Sequence, residues 1–148
     1  MSARDRIRMS EEERLAFLAG ERVAVVASLG PRGWPHSMPL WFVVRDGELW
    51  SWTYGSSQKV RNLERDPRAT LLVEAGEGYD ELRGVMVEAE AEIERDFDRV
   101  LALGREIGAR YGSGEGPEVE AALARSARKR VGIRFRPRRT VTWDHRKL

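Results

Sequence analysis

Between Leu82 and Ile93 the chain reads LRGVMVEAEAEI, and it alternates without a break. Val85, Val87, Ala89, Ala91 and Ile93 fall on one side, Met86, Glu88, Glu90 and Glu92 on the other. Side chains of a strand point to opposite faces in turn, so this period of two over such a length predicts one long strand with a buried and a wet face. Whatever else the chain forms must pack against that strand.

The flanking sequence supplies more strands than helices. RVAVVAS (22–28) is a valine-rich apolar run with the look of a buried strand, and LGPRGWP after it is a turn by composition. A second strand is expected from Met38 to Val44. Asp46-Gly47 then signals a tight turn into a hairpin partner at 49–53. Residues 69–73 give a fourth strand, 131–135 another with an arginine-bearing face, and 140–143 the last. Helices are expected after the capping box Ser10-Glu11-Glu12-Glu13 and over about 96–111 and 119–127. A short one follows Ser57. Six or seven strands joined mainly by hairpins predict a mainly β fold, an antiparallel barrel or sandwich with flanking helices. A length of 148 residues suits one domain, 1–148.

Charge is unevenly spread. Residues 75–127 hold 6 Lys/Arg against 13 Asp/Glu, and residues 128–148 hold 9 against 1. Such separation favours docking of one part on the other, within or between chains, or binding of an anion by the tail. No apolar run approaches the roughly 20 residues of a membrane span, and the N-terminus lacks the apolar stretch of a secretory signal. With no cysteine there is no disulfide and no thiolate chemistry. Cytoplasmic residence and no membrane partner are the expectation.

The chemistry available is sparse. His36 and His145 are the only histidines and neither has a partner at metal-ligand spacing, so no metal site is expected. His36, between residues of turn character, reads as a surface histidine. No phosphate-binding loop of the G-x-x-x-x-G-K-[ST] type occurs, and no G-x-G-x-x-G follows a strand. An enzyme built from this set needs a bound cofactor to carry the reactive step.

One segment suits such a cofactor. In SWTYGSSQKVRNLERDP (51–67) a strand hands over to a helix, with Ser56, Ser57, Gln58 and Lys59 at the join. A helix N-terminus exposes unpaired N–H groups at its positive end and can cradle a phosphate. Lys59 adds a full charge in the first turn, where it opposes the dipole unless an anion rests there. The plainer reading is a capped surface helix with a solvated lysine. Trp50, Trp52 and Tyr54 on the preceding strand can wall a planar ring or belong to a core.

The ordered set RVAVVASLGPRGWPHSMPLWFVV, DGELWSWTYGSSQKVRNLERDPRATLLVE, YDELRGVMVEAEAEI and RVGIRFRPRRTVTWDH resembles the pyridoxamine 5′-phosphate oxidase-like, FMN-binding split-barrel superfamily. It is similar above all to small actinobacterial flavin- and deazaflavin-dependent oxidoreductases. The most specific piece is the strand–S-x-K–x-x-N-L–x-x-D-P-R order followed by another strand. The resemblance implies an antiparallel split β-barrel of six to seven strands, and a homodimer with cofactor sites at the subunit interface. The implied cofactor is coenzyme F420 or FMN, with the deazaflavin favoured. It places Ser57, Gln58 and Lys59 at the phosphate-binding turn, with Gln58 where many members have arginine. Trp52 and Thr53 match the strand end along the ring, and Ser37, Met38, Pro39 and Leu40 the neighbouring strand at the ring edge. Arg83 matches a polar residue of the long strand. The implied reaction is hydride transfer between the reduced cofactor and a small conjugated or unsaturated substrate, with no catalytic residue assigned. Solvent, Tyr54 and His36 are the proton sources open to it.

Arg134, Arg136, Arg138 and Arg139 offer either a basic groove for a deazaflavin tail or a solvated face. The principal rival is a non-catalytic binding protein for flavin, F420, haem or a tetrapyrrole, with His36 as axial ligand in a haem version. A nucleic-acid role would rest on the basic tail alone and is opposed by the acidic stretch before it, so no nucleic-acid partner is expected.

Overall fold

The alternating run becomes the spine of a single antiparallel sheet. A computed structural model describes residues 1–148. Its strands are β1 (Ala24–Leu29), β2 (Pro35–Leu40), β3 (Val43–Arg45), β4 (Glu48–Tyr54), β5 (Arg68–Ala75), β6 (Arg83–Glu94) and β7 (Arg130–Asp144). The helices are α1 (Ala3–Arg6), α2 (Glu11–Gly20), α3 (Gln58–Arg65), α4 (Phe97–Arg110) and α5 (Pro117–Ala127). The strand order is β2-β1-β5-β6-β7-β4-β3, every pair antiparallel, and the fold is mainly β and split-barrel-like.

Local chemistry explains most boundaries. The Ser10 hydroxyl accepts from the Glu13 N–H and the Glu13 carboxylate from the Ser10 N–H, so the capping box starts α2 as predicted. A second box, Ser2 with Asp5, starts α1. Asp46 and Gly47 both take positive φ, 51° and 77°, the conformation a two-residue hairpin turn requires. On β6, Val85, Val87 and Ala89 are buried among Leu18, Val26, Leu71, Ile133 and Phe135, and each large apolar side chain so placed contributes about 1.5–3 kcal/mol.

The stretch expected as one strand from Met38 to Val44 is two. The chain leaves β2 at Trp41-Phe42 and enters β3, which lies at the opposite rim of the sheet. The C-terminus of α4 holds this break. The Tyr111 hydroxyl accepts from the Phe42 N–H at 3.1 Å and donates to the Arg22 carbonyl at 2.8 Å. The Arg110 guanidinium lies 4.4 Å from the Phe42 ring centre and donates to the carbonyls of Leu18 and Glu21, at 2.7 and 2.6 Å. The two rims meet where the Ser51 hydroxyl donates to the Trp41 carbonyl at 2.5 Å. No ladder joins β2 to β4, so the barrel stays split along that seam.

The outer face of the sheet differs from end to end. Over β3, β4 and β7 it is covered by α4, whose Leu103 and Ile107 pack on Val43, Trp50 and Trp52. Over β6 and β7 it carries a ladder of ion pairs: Glu88–Arg139, Glu90–Arg138, Glu92–Arg136 and Glu92–Arg134, with Arg134 also reaching Glu48. The acidic middle and basic tail therefore dock on each other within one chain. Beside the ladder, Pro39, Val25, Leu72, Met86 and Val141 stand in one register row across five strands.

Candidate functional site

The sheet hands over to α3 in the corner where the sequence placed the phosphate turn. After β4 the chain folds back, the Ser57 N–H donating to the Tyr54 carbonyl at 3.0 Å. The Gly55 N–H donates to the Lys129 carbonyl at 2.9 Å, which ties the turn to the start of β7. Ser57 caps α3 through a long bond, 3.5 Å from the Val60 N–H. The first-turn N–H groups of Gln58 and Lys59 have no acceptor within the helix.

The helix is pinned by its buried face. Val60 and Leu63 enter the core, and Asn62 is fully buried. Asn62 Nδ2 donates to Ser28 Oγ on β1 at 3.2 Å, and Asn62 Oδ1 accepts from Gln58 Nε2 at 2.8 Å and from Arg65 at 3.2 Å. Gln58 is thus spent inside the helix. Asn62 is the latch that fixes α3 against β1, a role its place in the N-L pair did not announce.

Lys59 is the unusual member. The residue is only 9% exposed, yet its ammonium has no hydrogen bond and no carboxylate partner. Burial, and after it the nearby charge of Arg130, hold its pKa below the ordinary value of 10.5. Arg130 was not singled out from the sequence. It sits opposite Tyr54 in the β4–β7 ladder, a position that only the strand pairing reveals.

The other predicted residues are distributed as follows. Thr53 points into the barrel and is buried. The Trp52 indole is outside, packed so closely on α4 that a Cβ added at Gly104 would lie 2.6 Å from its Cη2, and the Arg130 guanidinium covers it at 4.8 Å. Its side chain is therefore occupied and only its backbone is left for a ring. Ser37, Met38, Pro39 and Leu40 lie in β2, a rim strand paired on one side only. His36, Met38 and Leu40 bond to β1, so the Ser37 N–H and the carbonyls of Ser37 and Pro39 face the seam, proline having no N–H to offer. Arg83 is apart from these. It pairs with Asp144 at one end of β6, whereas Glu94 at the other end pairs with Gly132 near the α3 corner. Twelve residues of strand span about 35 Å, so one chain does not bring Arg83 to Lys59. His36 lies on β2 opposite Ser28, with Nδ1 enclosed and unpaired, rather than free on the surface.

Comparison with known proteins bears on the family and the fold. The family described as Pyridoxamine 5'-phosphate oxidase matches residues 10–144, nearly the whole chain. The chain belongs to the pyridoxamine 5′-phosphate oxidase family. Within this family's range of folds it is similar to the conserved hypothetical protein Rv2991 from Mycobacterium tuberculosis, at 41% identity and a TM-score of 0.92, over 100% of this chain and 92% of that one. It shares its fold with a structure described as an F420 reductase (24% identity, TM-score 0.67, 84% of this chain and 93% of that one). It shares it too with HutZ, a haem storage protein from Vibrio cholerae (19% identity, TM-score 0.70, 89% and 94%). Comparison with curated proteins gave no match. Members of the pyridoxamine 5′-phosphate oxidase family thus share this scaffold with proteins of different use, and the α3 corner has to speak for this one.

Proposed function

We propose that this chain is an oxidoreductase that holds FMN or coenzyme F420 by its phosphate at Lys59. The observation that carries the reading is Lys59, a largely buried residue whose ammonium has no counter-ion, in the first turn of a helix whose leading N–H groups are free. A cation is stable in such a place when an anion completes it. The corner therefore fits a phosphate-bearing cofactor, whose ring would run along the seam between β2 and the end of β4.

When bound, the cofactor supplies hydride transfer to or from a small conjugated or unsaturated substrate. The residues of the chain do the rest. Lys59 and the α3 amides fix the phosphate end. On the free rim of β2, Ser37 to Leu40, the Ser37 N–H is the backbone donor open to a ring on which negative charge develops, and Thr53 with the backbone of Trp52 would border it from β4. Gln58 contributes through Asn62 to the helix rather than to the ligand.

The remainder of the reading concerns assembly. The 148 residues act as one domain in the cytoplasm, and a second copy covers the row Pro39, Val25, Leu72, Met86 and Val141. Val25 is 36% exposed there, an apolar face that a partner would remove from water. Arg83, remote within one chain, reaches a cofactor only from such a partner. The paired state of Arg134, Arg136, Arg138 and Arg139 removes them as a groove for a deazaflavin tail, and the preference for F420 over FMN rests on the resemblance alone.

The test is spectroscopic. Protein titrated separately with FMN and F420 should perturb the absorbance of one, and the reduced bound form should be oxidised faster when enones or quinones are added. Retention of cofactor with no substrate-dependent oxidation would replace the enzyme by a carrier. Absence of binding to both would end the reading.

A further inference from the structure

Arg130 is the second cation of the α3 corner. Its guanidinium lies 4.2 Å from the Tyr54 ring centre and 4.8 Å from that of Trp52, and its Nε donates to Ser126 Oγ at 2.9 Å. Its two Nη groups have no acceptor in the protein, and Arg130 belongs to none of the molecule's fourteen ion pairs. Carboxylates are not scarce, since the chain has 24, and most arginines of β7 have found one.

The fold brings this unpaired guanidinium to the unpaired ammonium of Lys59. Tyr54 and Arg130 are directly opposed across β4 and β7. The turn from Tyr54 to Ser57 leads into α3, and its Gly55 N–H is bonded to the carbonyl of Lys129, the residue before Arg130. Arg130 is close enough for its charge to oppose protonation of Lys59. Two cations held together, one on an aromatic shelf and one by burial, repel each other until negative charge enters between them.

We infer that Arg130 and Lys59 together clamp one doubly negative, phosphate-bearing group, with Trp52 and Tyr54 positioning the guanidinium rather than walling the ring. The inference rests on the phosphate reading above and specifies the charge that the site demands. Two groups answer to it: the terminal phosphate of FMN, and the phosphodiester of F420 together with an adjoining carboxylate. Arginine offers a planar fork of donors for phosphate oxygens, and lysine a point charge.

The experiment compares each cofactor with its phosphate-free counterpart, FMN with riboflavin and F420 with the deazaflavin that ends at its ribityl hydroxyl. Kd is measured by fluorescence for wild type, Arg130→Ala, Arg130→Gln and Lys59→Ala. Loss of a charge-assisted bond should weaken the phosphorylated form about 10- to 100-fold in both Arg130 variants and leave the counterpart within about twofold. The pair that shows this selective loss identifies the source. Inorganic phosphate should raise the melting temperature of wild type and not of either Arg130 variant. Equal losses for both members of a pair, or none, would overturn the role of Arg130 while leaving Lys59 to its own result. A wild type that binds each pair without discrimination would overturn the phosphate reading and this inference together.

Discussion

The indole of Trp41 lies flat on the phenol of Tyr111, their centroids 4.3 Å apart and their planes 9° from parallel. The same tyrosine receives the Phe42 N–H, so one side chain secures both residues of the link between β2 and β3. Tyr111→Phe keeps the stack and removes the hydroxyl, leaving the Phe42 N–H without its acceptor. A part-buried donor so stranded costs about 1–3 kcal/mol. Urea denaturation should show a loss in that range, and a change below about 0.5 kcal/mol would mean that water replaces the hydroxyl.

Gly104 exists to admit Trp52. A methyl group there would overlap the indole, which is flanked by Leu103 and Ile107 and cannot retreat far. Gly104→Ala should therefore destabilise the protein by about 1–3 kcal/mol despite the better helix propensity of alanine. Near-UV circular dichroism should change with it, because the Trp52 ring must move.

Lys59→Met separates stability from binding. The folded state disfavours the charged form of Lys59, so its cost is fully present below the lowered folded pKa and is relieved as pH rises from there towards 10.5. The variant lacks that cost. It should melt at or above the wild-type temperature near neutral pH, the gap closing in alkali, while affinity for a phosphorylated ligand falls about 10- to 100-fold. A variant that melts lower and binds normally would assign Lys59 to the fold alone.

Asp66 gives an acid-side counterpart. The Arg68 side chain and N–H hold its carboxylate down to about 2, from 3.8. With its pKa depressed by folding, Asp66 contributes stability above pH 3.8 and loses it as pH falls through about 2. The stability difference between wild type and Asp66→Asn should be constant at neutral pH and fade across that window, and the carboxyl carbon resonance should titrate with a midpoint near 2.

The parts of this molecule that the sequence disclosed are those set by neighbours in the chain. Period-two alternation gave β6, serine followed by glutamate gave the start of α2, and Asp46-Gly47 gave the β3–β4 hairpin. What stayed hidden depends on distant residues. Nothing local in MPLWFVV marks a break, because the groups that hold it, Arg110 and Tyr111, come from α4 some 70 positions later. Ser57 and Lys59 were legible as a motif, whereas Arg130 is one arginine among many until strand pairing sets it opposite Tyr54. Arg134, Arg136, Arg138 and Arg139 showed the converse: grouped in sequence, they suggested a groove, but the neighbouring strands supply a carboxylate to each.

The glutamate–arginine ladder also governs how a ligand arrives. Charges of opposite sign that alternate across adjacent strands cancel within a few ångströms, so that side of the protein projects almost no far field into solution. The ladder therefore adds nothing to the attraction of an anionic molecule, and such attraction as it feels near the seam comes from Lys59 and Arg130 alone. Added salt should slow its encounter only to the modest extent that two local charges can be screened.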